Sequence, residues 1–163
     1  MRSPDPSLFI GSSTEGLPIA RALQAELDEE CEPLVWKQDF FVPTGTTIGT
    51  LAEKVQNFDF AAFIFTPDDS LVIRGSANAA ARDNVIFELG LFIGALGKER
   101  VFIIRPRDQE LRLPSDLADC TCLTYRSNRK DQNVRAAMGP AATAIRNRII
   151  GLGIRRTIDR TAI

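Results

Sequence analysis

Histidine is missing altogether from this 163-residue chain. Its absence excludes Ser-His-Asp and Cys-His nucleophilic catalysis, His-ligated zinc and imidazole acid–base chemistry together. Any catalyst here must be a carboxylate, a hydroxyl or the backbone. Cysteine is scarce and odd in number, with only Cys31, Cys120 and Cys122. One residue separates Cys120 from Cys122, closer than the Cys-x-x-Cys spacing of redox and zinc sites, so free, mostly buried thiols in a reducing cytoplasm are expected. No apolar run reaches the ~18 residues that a membrane span requires. Residues 1–7, Met-Arg-Ser-Pro-Asp-Pro-Ser, lack the apolar core of a signal peptide, and no membrane partner is expected.

An overall charge excess is missing too. Twenty Lys plus Arg stand against 21 Asp plus Glu, a formal net charge of -1, which argues against nucleic acid as a direct partner. The charges are divided unevenly, however. Residues 1–96 carry 6 basic and 14 acidic side chains, and residues 97–163 carry 14 and 7. That polarity suits either head-to-tail self-association or a solvated basic tail.

What remains is 44% hydrophobic and 25% charged, the composition of one globular domain with a real core. Its apolar segments alternate in kind. Leu8-Phe9-Ile10 is a short run stopped by Gly11, and Leu17, Ala20, Leu23 and Leu27 then recur at helical spacing. Leu34-Val35-Trp36 reads as a second strand, followed by a loop from Lys37 to Gly45 that carries Phe40, Phe41 and Pro43. Thr46 and Thr47 can cap a helix through Ile48, Leu51 and Val55. Phe60 to Phe65 is apolar throughout, as in a parallel strand buried on both faces. A loop to Ala81 leads to Asp83-Asn84, which opens a helix over Val85 to Leu96. Val101–Ile104 and Leu123–Tyr125 are further strands. Val134, Met138, Ala141, Ala142, Ile145 and Ile149 mark a last helix, in which Gly139-Pro140 predicts a kink or a late start. The sum is an α/β chain with an open, flavodoxin-like, five-stranded parallel sheet and helices on both faces. Its expected divisions are a tail over 1–6, a domain over 7–150 and a tail or linker over 151–163.

Ligands of such sheets bind beyond the carboxyl ends of the strands, and three places there carry candidate chemistry. Gly11-Ser12-Ser13-Thr14-Glu15-Gly16 joins the first strand to the first helix, where hydroxyls near a helix N-terminus can hold a phosphate or ribose. Ser13 or Thr14 could equally be a simple helix cap. Glu88 is the one ionisable group in Val85 to Leu96, a segment apolar around its whole circumference that therefore predicts a largely buried helix. An unpaired carboxylate there would cost several kcal/mol or shift its pKa, unless it merely stabilises the positive end of the helix dipole. Gly90 and Gly94 would admit a close backbone neighbour. Trp36, with Phe40 and Phe41 beyond it, could stack a planar base or anchor the loop to the core.

Phe9-Ile10-Gly11-Ser12-Ser13, Val35-Trp36, Phe58-Asp59-Phe60, Phe65-Thr66-Pro67-Asp68-Asp69 and, above all, the 13-residue run Arg82 to Gly94 closely resemble the bacterial TIR-like domain of anti-phage effectors of the CBASS and Pycsar type. The resemblance covers about residues 7–150. It implies a flavodoxin-like TIR fold and an NAD glycohydrolase that cleaves the nicotinamide–ribose bond. NAD is then the substrate, and no further cofactor or metal is implied. The family's catalytic glutamate falls on Glu88. Ser12 and Ser13 would position ribose or phosphate, Trp36 and Phe41 would lie at the substrate, and Asp83 and Asn84 would either bind ligand or cap the helix. The loop from about Lys37 to Thr47 is the one that in TIR domains reaches a neighbouring protomer. The resemblance also implies TIR–TIR self-association and a cyclic-nucleotide sensor, fused or separate. Two other classes share these features: a non-catalytic TIR–TIR signalling module and a nucleoside deoxyribosyltransferase-like enzyme.

Overall fold

A computed structural model describes residues 5–36, 47–66, 79–109, 111 and 113–155. The elements are β1 (Ser7–Ser12), α1 (Leu17–Leu27), β2 (Glu32–Val35), α2 (Thr47–Val55), β3 (Phe60–Ile64), α3 (Ala79–Leu96), β4 (Val101–Pro106), β5 (Thr121–Tyr125) and α4 (Val134–Leu152). The strands form one sheet in the order β2-β1-β3-β4-β5. Every neighbouring pair is parallel, with Leu8 opposite Phe60 and Ser12 opposite Ile64 across the β1–β3 pair. This is the doubly wound, flavodoxin-like order, whose topological switch lies between β1 and β3.

The strand period sorts the apolar side chains into two cores. Leu8, Ile10, Phe60, Ala62, Ile64 and Phe102 face the layer built by α1 and α4. Phe9, Ala61, Phe63, Val101 and Ile103 face the opposite layer, with α2 and α3. All five residues of β3 are consequently buried. Phe9 sits 4.4 Å from Phe92 and 5.7 Å from Phe63, centroid to centroid, and burying each such ring is worth roughly 1.5–3 kcal/mol. This crowding fixes Gly11. A Cβ there would lie 2.8 Å from Cε1 of Phe63, closer than non-bonded carbons come.

Three expectations change. The last helix starts at Val134, well before Pro140, because the Asn133 side chain accepts a hydrogen bond from the Ala136 N–H (3.0 Å) and caps it. An internal proline costs about 3 kcal/mol, and six buried residues from Ala137 to Ile149 offset it. Secondly, only Cys31 is a buried thiol; Cys120 is half-buried and Cys122 is exposed, since β5 is an edge strand paired on one side only. Thirdly, α3 begins at Ala79, a full turn before Asp83 and Asn84. Those two residues therefore lie inside the helix and do not cap it.

The chain stays packed past residue 150. Arg155 donates its backbone N–H to Asp59 Oδ1 (2.6 Å) and its guanidinium to the carbonyls of Ala95 (3.0 Å) and Gln56 (2.9 Å). Asp59 Oδ2 accepts from the N–H (2.9 Å) and hydroxyl (3.0 Å) of Ser7, and Arg100 donates to the Gly153 carbonyl (2.8 Å). One carboxylate thus ties β1, the start of β3 and the segment after α4 together. Residues 1–4 and 156–163 of the expected tails lie outside the described residues. Among the described residues no helix is long and apolar enough to cross a membrane.

Candidate active site

In a parallel sheet the connecting helices run back against the strands, so their N-termini gather at the strands' carboxyl end. At the β1–β3 switch that end carries Ser12 and Ser13 from β1 and Thr66 just after β3. Gly16 brings them together. A Cβ on it would lie 3.0 Å from Cβ of Ser12 and 3.5 Å from Cγ2 of Thr66. The turn is closed by the backbone, with the Gly16 N–H donating to the Ser13 carbonyl (3.1 Å) and the Leu17 N–H to the Thr14 carbonyl (3.3 Å). Gly16 itself is the N-cap residue of α1, and no side chain caps that helix.

The simple capping role for Ser13 or Thr14 is therefore removed. The Oγ atoms of Ser12 and Ser13 are both buried without a hydrogen-bond partner among the described residues. Buried hydroxyls are nearly always partnered, so two orphans side by side at the switch point are hydroxyls with hydrogen-bonding capacity to spare. Thr66 is a residue that periodicity missed. It is the one buried polar residue named among the described core, and its only signal in the sequence is that a hydroxyl follows directly on an all-apolar strand.

Glu88 is the tenth of 18 residues in α3. The dipole effect fades within the first turn, so charge–dipole stabilisation does not account for it there. Val85, Leu89, Phe92 and Leu96 form the stripe packed on the sheet, and Glu88 lies on that stripe's flank, half-buried. Its carboxyl is pushed from 4.5 up to about 7 by burial alone. No neighbouring charge or hydrogen bond among the described residues offsets that burial.

The opposite face of α3 bounds the expectation of a largely buried helix. Phe87 is 51% exposed. Gly90 and Gly94 are exposed on the same side, and a Cβ at either would meet nothing within 4 Å. Among the described residues no backbone makes the close approach expected there.

Trp36 is also corrected. It is 4% exposed, packed 5.6 Å from the Phe9 ring, with the Lys54 ammonium 5.2 Å over its own ring centroid. It anchors the end of β2 to the core and offers no open face for a base. Phe41, with Phe40, Pro43 and the expected protomer-reaching loop from about Lys37 to Thr47 as far as residue 46, lies outside the described residues. The side chains of Asp83 and Asn84 do too. What the fold brings to one end is thus Ser12, Ser13 and Thr66, with α3 leading from the same end to Glu88.

Comparison with known proteins shows the family of the chain. The family model described as CAP12/Pycsar effector protein, TIR domain, matches residues 7–127. The Pycsar effector protein PaPycTIR of Pseudomonas aeruginosa is 39% identical over 147 residues, covering 90% of this chain and 48% of that protein. The CD-NTase-associated protein 12 of a Lachnospiraceae bacterium is 32% identical over 130 residues, 80% of this chain and 40% of that one. This chain spans about half the length of the curated relatives it matches. Among solved structures, a diflavin flavoprotein A3 from Nostoc sp. superposes with a TM-score of 0.54 at 11% identity, over 91% of this chain and 99% of that one. That likeness concerns the fold alone.

Proposed function

The chain belongs to the CAP12/Pycsar effector TIR-domain family, and from that premise we propose that it is the catalytic part of an anti-phage effector that cleaves NAD between nicotinamide and ribose. The observation that supports this most is Glu88, an unpaired, half-buried carboxylate in the middle of an apolar helix packed on the sheet. Nicotinamide leaves readily because its ring nitrogen is cationic in NAD, so no general acid is needed and the lack of histidine is no obstacle. Bond breaking builds positive charge on the ribosyl carbon, as in glycoside cleavage. A carboxylate in a poorly hydrated setting stabilises that charge far more than it would in water. Water then takes the ribosyl carbon and gives ADP-ribose, unless an internal nucleophile cyclises it. Ser12 and Ser13 would donate to or accept from ribose hydroxyls or phosphate oxygens, which supplies the partners that their Oγ atoms lack.

The effector role carries a cyclic-nucleotide sensor as partner, fused or separate, and self-association as the means of activation. The decisive experiment is incubation of concentrated protein with NAD, with nicotinamide release followed by chromatography. Wild-type turnover together with its loss in a folded Glu88→Gln variant supports the reading. Turnover that survives the substitution removes Glu88 from the mechanism. A second reading, a non-catalytic assembly module, draws on the exposed face of Phe87, Gly90 and Gly94. It requires an NAD-inert chain that still associates. Deoxynucleosides tested beside NAD separate the transferase-like alternative.

A further inference from the structure

Two charged surfaces lie at opposite ends of the sheet. At the carboxyl ends of β4 and β5, the loops after Pro106 and Tyr125 enclose a groove of about 630 Å³ lined by Arg107, Asp108, Arg126, Arg129, Lys130 and Asp131, with Asn128. Of the two acids in its described lining only Asp131 is ion-paired, while Asp108 is held by the neutral Ser127 and keeps its charge near Arg126. Asp108 accepts from the Ser127 N–H (2.8 Å) and hydroxyl (2.6 Å), and Asp131 takes both arms of Arg129. Arg107, Arg126 and Lys130 are exposed and make no ion pair among the described residues. With Arg129 and Asp131 paired and Asp108 the one remaining carboxylate charge, these three cations leave the described lining of the groove with a positive excess. An apolar hollow of about 210 Å³ adjoins it, lined by Ile19, Tyr125, Val134 and Ala137 and sharing Arg126 and Arg129 with the groove.

The amino end of the sheet carries the complement. Between the end of α1 and the start of β2 the sequence reads Glu26-Leu27-Asp28-Glu29-Glu30-Cys31-Glu32. Arg135 takes Glu26 (2.8 Å) and Arg146 takes Glu30 (2.5 Å). Asp28, Glu29 and Glu32 are left exposed and unpaired among the described residues. The negative field there is strong enough to act on a neighbour: the Cys31 thiol is pushed up to about 12 by burial and then by Glu30, Asp28, Asp5 and Glu32.

We propose that the groove at the carboxyl ends of β4 and β5 is a docking surface for the acidic amino end of a second copy of this chain. The positive excess of the groove at one end meets the three exposed carboxylates at the other. Because strands at least five residues long separate the ends of β4 and β5, and the acidic corner lies on the far edge beside β2, the two surfaces cannot meet within one molecule. The contact is heterologous, and a heterologous contact that does not close on itself propagates into a filament. The adjoining hollow supplies apolar area at the contact, and the charges supply orientation and encounter rate. The contact stands apart from the NAD reading: a chain inert toward NAD would leave it untouched.

Sedimentation of the 163-residue chain tests it, at about 10 mM and about 500 mM salt, where the screening length falls from ~30 Å to a few Å. Two triple reversals are made at exposed positions, Arg107→Glu with Arg126→Glu and Lys130→Glu, and Asp28→Lys with Glu29→Lys and Glu32→Lys. The expected result is self-association at low salt that high salt abolishes, at least tenfold weaker in either reversal alone and recovered when the two reversals are mixed in equal amounts. A wild-type chain that stays monomeric at low salt up to high micromolar protein overturns the proposal. So does a reversal that associates like wild type, or a mixture no better than its parts. Should a triple reversal fail to fold by circular dichroism, the single pair Arg126→Glu and Glu29→Lys carries the same test.

Discussion

A carboxyl group whose pKa stands at about 7 in the folded chain and 4.5 when exposed binds its proton more tightly when folded. Burial of Glu88 therefore costs nothing below about pH 4.5, where both states are protonated. The penalty grows as pH rises through the window from 4.5 to 7 and is complete above it. Glu88→Gln removes the penalty, so the variant is expected to melt above wild type at pH 8, with the difference closing toward pH 4.5. Melting curves that differ equally at both pH values would show that Glu88 does not titrate as its burial requires. The same group shapes catalysis. For a reaction that needs the carboxylate, kcat/KM for NAD is expected to rise about tenfold per pH unit below 7 and to level off above it. A profile flat from pH 5.5 to 8 would assign the essential charge elsewhere. Ser12 and Ser13 belong to the same scale. Neither caps α1 and neither Oγ has a partner among the described residues, so changing both to Ala should leave the melting temperature unchanged or slightly higher while raising KM for NAD. A lower melting temperature with unchanged kinetics would mark them as structural.

Among the secondary-structure elements, α3 is the one in which packing and chemistry meet. Its sheet-facing stripe of Val85, Leu89, Phe92 and Leu96 belongs to the aromatic core around Phe9 and Phe63, and that rigid seat fixes the direction in which Glu88 points. Its far end is held by a different device, the Ala95 carbonyl accepting from Arg155, whose backbone is in turn held by Asp59. Asp59→Ala strands two donors, the N–H of Ser7 and the N–H of Arg155, while the Ser7 hydroxyl keeps the Asn57 carbonyl as acceptor. Hydrogen bonds to a charged group contribute about 1.5–3 kcal/mol each net of the water they replace. The expected outcome is a destabilised chain with faster amide exchange at Gly153 to Arg155 and in the last turn of α3, and with Glu88-dependent turnover retained. Exchange unchanged at those amides would show that the tie is not holding them.

For the molecule as a whole, no described surface assembles the entire proposed site. Ser12, Ser13 and Thr66 lie at the switch point between β1 and β3, and the described concavities lie toward the β5 edge of the sheet. A site completed by a neighbouring protomer gives a specific activity that climbs steeply with protein concentration or with a fused oligomeric scaffold. Phe41→Asp, in the loop that the family resemblance places at the junction, should blunt the climb. Specific activity that stays flat from nanomolar to high micromolar protein would mean that each protomer works alone.

The sequence by itself determined the sheet, because each short apolar run and each helical period records a local choice between burying two faces and burying one. Leu17 to Leu27 was legible to its ends, and β3 was legible as a fully buried strand, since five consecutive apolar residues suit only a strand covered on both sides. Glu88 was legible as well, as one charge within an apolar run. Tertiary structure decided what depends on neighbours distant in the chain. Trp36 became core because Phe9 and Lys54 close over it, and Ser13 lost its capping role because the turn closed through backbone carbonyls. The outer face of α3 stayed exposed because α2 and the sheet cover only one side of a helix that is apolar on all sides. The unpaired charges at the two ends of the sheet could not be told from paired ones by counting, because Arg135 and Arg146 reach Glu26 and Glu30 from more than a hundred residues away. Pairing is a matter of distance in space, and only the folded chain sets that distance.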